Sequence, residues 1–374
     1  STDVPPGFDA AQRGRPGGFA GDPDVMDTWA TSSLTPQIAG RWVDDPDAFA
    51  RIFPMDVRPQ GHDIIRTWLF ATMVRSHLEF DRAPWRHAAL SGWILDPDRK
   101  KMSKSKGNVV TPVQLFDAYG SDAVRYWAAS ARPGVDTAFS EDQMKVGRKL
   151  ATKLLNATKF VLGFGTAPGD DAVADPIDAG MLAGLAAVVD EATAAFADFD
   201  YARALERTEA WFWWFCDDYL ELVKGRAYDD AHPGAPSARA ALRRALGAVH
   251  RLLAPLLPFV TEEVWGWWRE GSVHRAQWPA RDELLAGVRA DDDAVALLDA
   301  TCAVLGAIRR TKTERKVSQR AEVARCEVHG PADRLALLAA HDGDLRNAGG
   351  VRELVYAGPD AAGDVALRAT VTLA

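Results

Sequence analysis

From residue 141 to about residue 318 the chain repeats apolar side chains at helical spacing with few interruptions, and this stretch limits the fold more than any other. Met144, Gly147, Leu150, Leu154, Thr158 and Val161 form one stripe along a helix that Ser140 can cap, with Gln143 closing a capping box. Further helices are expected at 177–198, 201–225, 237–269 with a break near Pro255 and Pro258, and 292–314. Helices of this length bury their stripes only against one another, so a helical bundle follows. The punctuation just upstream is helical too. Thr111-Pro112-Val113-Gln114 offers an N-cap, a proline at the first helical position and a second capping box; Gly120 terminates, Ser121 can cap the next helix, and Pro133 limits it.

The flanks read differently. Between about 21 and 108, short apolar runs suited to strands alternate with a helical segment, the pattern of α/β structure. Ile65, Leu69 and Met73 give one helix face after Gly61, and Ala88 to Leu95 reads as a short buried strand. At the far end Glu322–His329, Val351–Ala357 and Val365–Leu373 look like strands, with a helix at Ala332–Ala340. The fold class expected is therefore α/β plus all-α, in segments 1–20 (an irregular lead-in rich in Pro, Gly and Asp), 21–108, 109–140, 141–320 and 321–374. A chain of 374 residues calls for more than one domain, and no internal repeat is evident.

Composition removes several function classes. With 47% hydrophobic and 26% charged residues and no run of eighteen uncharged apolar residues, no membrane span is expected. The N-terminus lacks the blocks of a signal peptide, and Cys216, Cys302 and Cys326 form no CxxC pair, so neither a disulfide framework nor a metal site is expected, and a reduced cytoplasm is. The net charge of −8 argues against a general polyanion binder, so any nucleic-acid surface must be local. Two clusters qualify: Arg99, Lys100, Lys101, Lys104 and Lys106, and Arg309, Arg310, Lys312, Arg315 and Lys316. The plain alternative for either is a solvated face.

The first cluster carries chemistry. Lys101-Met102-Ser103-Lys104-Ser105-Lys106-Gly107-Asn108 follows a strand and combines close ammonium groups, small hydroxyls and a glycine, which suits a loop folding over a polyphosphate. It is not a Walker loop, because GxxxxGK[ST] is absent. The segment resembles the KMSKS signature of class I aminoacyl-tRNA synthetases, complete over its five residues. The resemblance implies that Lys101 and Lys104 stabilise the pyrophosphate leaving group as ATP and an amino acid form an adenylate, with Ser103 and Ser105 as supporting donors and Met102 beside the nucleotide.

Other segments extend the likeness. Gly61-His62-Asp63 looks like the family's GxD element, which makes Gly61 a close backbone approach to the nucleotide and Asp63 the ribose-binding carboxylate; Asp63 also reads as a helix N-cap. Gly92-Trp93-Ile94-Leu95 resembles the strand whose backbone holds adenine, implicating Gly92 and Ile94, though a plain core strand fits equally. Asp24-Val25-Met26-Asp27-Thr28-Trp29-Ala30-Thr31-Ser32-Ser33-Leu34 resembles DVLDTWFSSxL of the valyl branch, and Gly61 to Trp68 is nearer the valyl than the isoleucyl pattern. Ala30 and the Leu34-Thr35-Pro36-Gln37 stretch depart from it. Trp29 and Trp68 would then wall the amino-acid pocket.

Downstream, Tyr119-Gly120-Ser121-Asp122-Ala123-Val124-Arg125-Tyr126-Trp127 resembles the stem-contact fold. Trp211 to Tyr219 and Leu253 to Trp265 resemble the anticodon-binding domain. The aromatic run Trp211 to Phe215 reads as core rather than as a base-stacking platform, because Glu206, Glu209, Asp217 and Asp218 flank it. The cluster Arg309, Arg310, Lys312, Arg315 and Lys316 is the candidate tRNA-backbone contact. By resemblance the segments become the second half of a class I Rossmann catalytic domain, a stem-contact fold, an anticodon-binding helical bundle and a small terminal α+β module.

No HxGH motif occurs, and the first βαβ half, the groups that hold the amino acid's ammonium, an editing domain and a terminal coiled-coil arm are all unmatched. Without editing, a hydrophobic pocket would reject threonine only about a hundredfold against valine. A half sheet exposes an edge and calls for aggregation, pairing with an N-terminal synthetase segment, or repurposing. The implied partners are tRNA(Val), valine and ATP, with Mg2+ accompanying ATP as substrate and no tightly bound cofactor. The chain alone is expected to be inactive in adenylation, and the alternative is a truncated paralogue acting as a non-catalytic tRNA-binding module.

Overall fold

A computed structural model describes residues 4–22, 27–103, 106–165, 172–358 and 367–374. It falls into two compact units, Ser1–Trp93 with Pro133–Asp136, and Ile94–Arg132 with Thr137–Ala374. The expected positions Lys104, Ser105 and Asp24 to Met26 lie outside the described residues, as does Val365 at the start of the last expected strand.

In the first unit, helix α1 (Thr28–Ser32) precedes strands β1 (Met55–Gly61) and β2 (Trp85–Ser91), which pair in parallel from Met55↔Trp85 to Gly61↔Ser91. A parallel pair requires a crossover. Here it is a 3₁₀ turn (His62–Ile64), a π-turn (Ile65–Leu69) and helix α2 (Phe70–Phe80). The layer has an inverted polarity: on β1 Arg58 and Gln60 are buried while Val57 is exposed, and on α2 Phe70, Met73, Val74 and Leu78 face outward, Leu78 80% exposed.

The expected strand Ala88 to Leu95 is interrupted. The Trp93 N–H donates to Asp136 Oδ1 at 2.7 Å. A Cβ on Gly92 would lie 2.2 Å from the Val135 carbonyl oxygen, so backbone passes there where no side chain fits. In the second unit β3 (Ile94–Leu95) pairs instead in parallel with β4 (Thr137–Ala138).

The second unit carries helices α3 (Val113–Tyr119), α4 (Ser121–Ala129) and α5 (Glu141–Leu162) ahead of the bundle proper. Thr111 and Ser121 do not cap. Pro112 is the N-cap residue of α3, and Gly120, at φ 85°, ends α3 and opens α4 at once, so Ser121 is already inside the helix. Ser140 caps α5 as expected, accepting from the Gln143 N–H. The bundle continues through α6 (Pro176–Ala197), α7 (Tyr201–Trp214), a π-turn at Phe215–Tyr219, α8 (Leu220–Tyr228), α9 (Ala235–Leu253), α10 (Pro258–Gly266) and α11 (Asp292–Glu314).

One core joins these helices, with Leu150, Leu182, Phe212, Phe215, Leu246 and Leu305 fully buried. The aromatic run is therefore packing, as its acidic flanks suggested. Helix α6 is long and apolar enough to cross a membrane, but Met181, Leu182, Leu185 and Ala186 along it have no exposure, which is the pattern of a core helix. Helix α4 locks onto the turn between α9 and α10. The Asp122 carboxylate accepts from the Phe259 and Val260 N–H groups at 3.1 and 2.7 Å, capping α10, while Arg125 donates to the Pro255 and Leu256 carbonyls.

The terminal module sets β5 (Val323–His329) between β6 (Val351–Ala357), parallel to it, and β7 (Arg368–Leu373), antiparallel, with helices α12 (Ala332–Ala340) and α13 (Gly343–Gly349). A buried cation ties it to the bundle: Arg226, on α8, contacts Asp178 of α6 and Asp344 of α13, each at 2.9 Å, with Asp175 at 3.5 Å. Tyr219 and Ser237 donate their hydroxyls to the same Asp178 carboxylate. The three carboxylates raise the Arg226 pKa far above its ordinary value, although burial alone would lower it.

Candidate functional site

In the first unit the candidates gather at the carboxyl ends of two parallel strands, the position at which open α/β sheets take ligands. Gly61 is the last residue of β1, in extended conformation. Asp63 sits inside the 3₁₀ turn, exposed, and caps neither that turn nor the π-turn after it, so the N-cap reading fails. Next to it the His62 ring shares a hydrogen bond with the Ser91 carbonyl at 3.0 Å and meets the Trp93 ring edge-on at 4.6 Å.

Trp29 and Trp68 come together from α1 and the π-turn, their rings 6.5 Å apart and tilted by 36°. Two contacts set the Trp68 plane. Its Nε1–H donates to the Ser32 carbonyl at 2.6 Å, and the Arg58 guanidinium lies 3.8 Å from its ring centroid. Arg58 itself is 8% exposed, with Nε and Nη2 unbonded, and burial lowers its pKa. Arg58 was missed in the sequence, where an arginine in a strand reads as an outward-facing residue; its only signal was the alternation with Gln60. Gly92 has the steric reason given above for lacking a side chain.

In the second unit the lysine loop is closed at its base. Leu95 and Lys101 form an antiparallel bridge, and Asp96 accepts from the Lys100 N–H at 2.7 Å and from Asn108 Nδ2 at 2.8 Å. Asn108 in turn accepts from the Ser103 N–H at 3.0 Å. The Lys100 amide, then the Asn108 amide, hold the Asp96 carboxyl below the usual carboxylate range. Lys101 is exposed, Met102 and Ser103 are half-buried, and Ile94 is 45% exposed. Asp96 was a missed residue, although Asp96-Pro97-Asp98 is a turn signature that could have marked it.

The second cationic cluster is divided. Arg310, Arg315 and Lys316 are exposed at the end of α11. Arg309 donates to the Asp217 carbonyl and to Asp218 Oδ1. Lys312 is a correction: it is 1% exposed, and its ammonium donates to the Gln319 and Gly349 carbonyls at 3.0 and 2.8 Å, so it fastens the terminal module and cannot reach a phosphate.

Two family profiles match the chain. The family profile described as tRNA synthetases class I (I, L, M and V) matches residues 9–140, and that of the anticodon-binding domain of tRNA ligase matches residues 178–328. The whole chain is 60% identical to the valine–tRNA ligase of Thermobifida fusca (strain YX) and 59% identical to that of Salinispora arenicola (strain CNS-205), covering 42% and 45% of them. It thus spans less than half the length of these relatives. Among solved structures, the agnB2 LeuRS of Agrobacterium radiobacter K84, in a ternary complex with tRNA and LeuAMS, superposes with a TM-score of 0.58 at 23% identity, over 71% of this chain and 34% of that one. At that identity the likeness is one of fold.

Proposed function

This chain belongs to the class I tRNA synthetases, and we propose that it works as the C-terminal portion of a valine–tRNA ligase, which joins ATP and valine into valyl-adenylate and passes the valyl group to tRNA(Val). The observation that carries the reading is the lysine loop, closed at its base by Asp96 and Asn108 so that Lys101 stays outward. In this reading Lys101 and Lys104 meet the charge that develops on pyrophosphate, with Ser103 and Ser105 as donors and Met102 beside the nucleotide. Mg2+ arrives with ATP. The uncapped, exposed Asp63 is available to the two ribose hydroxyls beside Gly61, and Gly92 and Ile94 offer backbone to adenine.

Trp29 and Trp68 form the wall against which the branched side chain of valine packs. The segment 21–108 is the second half of a Rossmann domain, 109–140 the stem-contact fold, 141–320 the anticodon-binding bundle and 321–374 a terminal module. Arg310, Arg315 and Lys316, with Arg309 behind them, take tRNA phosphates. The outward apolar stripe of α2 supports a further synthetase segment packing on the first unit, since a surface helix buries such a stripe. The reading is tested by titrating the chain with tRNA(Val) and a non-cognate tRNA over a salt series. Tighter, salt-dependent binding of tRNA(Val) is expected, and equal or absent binding of both would refute it.

A further inference from the structure

Arg58 occupies a strand position that parallel sheets ordinarily give to an aliphatic side chain. It shares the inward face of β1 with Gln60, the two being 8% and 3% exposed. Its guanidinium lies 3.8 Å from the Trp68 ring centroid and 5.4 Å from that of Trp85. No carboxylate pairs with it among the described residues, and its Nε and Nη2 have no hydrogen-bond partner. The buried acceptors Gln37 Oε1 and Gln60 Oε1 are without a partner too, so neither of them meets it. A cation taken out of water without a counter-charge weakens a fold, and an apolar side chain of similar length in its place is ordinarily neutral or stabilising. By that rule Arg58→Met favours the first unit, and the arginine calls for a reason other than stability.

The indole of Trp68 supplies one. A guanidinium over a ring face is held by the quadrupole of the ring, more strongly away from water. The edge of the same indole is tied by Nε1–H to the Ser32 carbonyl at 2.6 Å, and Ser32 is the last residue of α1, the helix that carries Trp29. One hydrogen bond at the edge leaves the ring free to tilt about it, and a planar group on the face removes that freedom. The tilt matters for selection. Valine and isoleucine differ by one methylene, which a hydrophobic wall distinguishes only modestly and only if it does not yield.

We propose that Arg58 is a positioning residue for amino-acid selection, holding the Trp68 indole at the tilt that admits the side chain of valine and excludes a longer one. The inference rests on the reading of Trp29 and Trp68 as the valine wall. The test makes two measurements on Arg58→Met and Arg58→Lys. Urea denaturation is followed on the chain alone. Exchange of pyrophosphate into ATP, driven by valine or by isoleucine, is followed on the chain saturated with the N-terminal remainder of the Thermobifida fusca valine–tRNA ligase. Arg58→Met is expected to unfold at the same or a higher urea concentration than wild type. It should nevertheless raise the valine KM about tenfold, with kcat and the ATP KM within about twofold, and narrow the preference for valine over isoleucine about tenfold. Arg58→Lys keeps a cation over the ring and should restore most of that preference. Unchanged valine KM and preference in Arg58→Met would overturn the proposal, as would a lost preference that comes with a lowered urea midpoint and is not restored by lysine. Trp68→Phe, run alongside, separates this inference from the reading beneath it. If Trp68→Phe alters valine preference and Arg58→Met does not, the role of Arg58 alone falls. If neither does, or if the wild-type mixture shows no exchange, both fall.

Discussion

His250 shows how a single buried residue can govern the response to pH. Its Nε2 lies 2.9 Å from Thr158 Oγ1, whose own proton goes to the Leu154 carbonyl, so the imidazole donates through Nε2, while its buried Nδ1 has no acceptor among the described residues for a second proton. Burial first, then Arg269 and Arg251, push its pKa down to about 3. The unfolded chain binds this proton near pH 6.5 and the native one does not, so stability is full above that value and falls as pH drops toward 3. Between about pH 6 and pH 4 the wild type should lose about 1.4 kcal/mol per pH unit more than His250→Leu in urea denaturation. Parallel slopes would show that His250 is protonated in the fold. The lysine loop offers a second residue-scale prediction. Asn108→Ala removes the ties to Asp96 and Ser103, and trypsin should then cut the loop several-fold faster; an unchanged rate would mean the loop is held otherwise. Lys101, Asp63, Trp29 and Trp68 could be proposed from the sequence because a family resemblance marks their positions. Arg58 and Asp96 were not, since what marks them is a partner or a burial that only the fold supplies.

Among the elements, the helices with the clearest stripes appear where periodicity places them, α5 and α11 within a residue or so. The strand boundary that failed depends on distant chain: the break at Gly92 is set by backbone at Val135. The break near Pro255 and Pro258 falls where expected, but the Asp122 cap of α10 beyond it joins segments 137 residues apart. Close approach of α4 and α5 hangs on Gly147: a Cβ there would lie 2.5 Å from the Tyr126 Cβ. Gly147→Ala should cost about 1–3 kcal/mol of stability by overpacking, measured by urea denaturation, and a neutral effect would mean the two helices part easily. Arg226 holds three elements. Arg226→Met strands Asp178 and Asp344 without a cation and should cost about 3–5 kcal/mol. Loss of less than about 1 kcal/mol would show that the carboxylates take up protons at little cost.

At the scale of the whole molecule the second unit has a continuous core of its own, whereas the first presents two parallel strands, a buried guanidinium with no carboxylate partner among the described residues and an outward apolar helix stripe. Parallel strands are ordinarily covered on both faces, which is the physical ground for reading the first unit as one part of a larger layer. The most direct measurement is valine-dependent exchange of pyrophosphate into ATP, made on the chain alone and on the chain mixed with the N-terminal remainder of the Thermobifida fusca valine–tRNA ligase. No exchange by either piece alone, exchange with both together, and its loss in Lys101→Ala is the expected result. Exchange by the chain alone, or exchange driven by isoleucine in place of valine, would overturn the assignment.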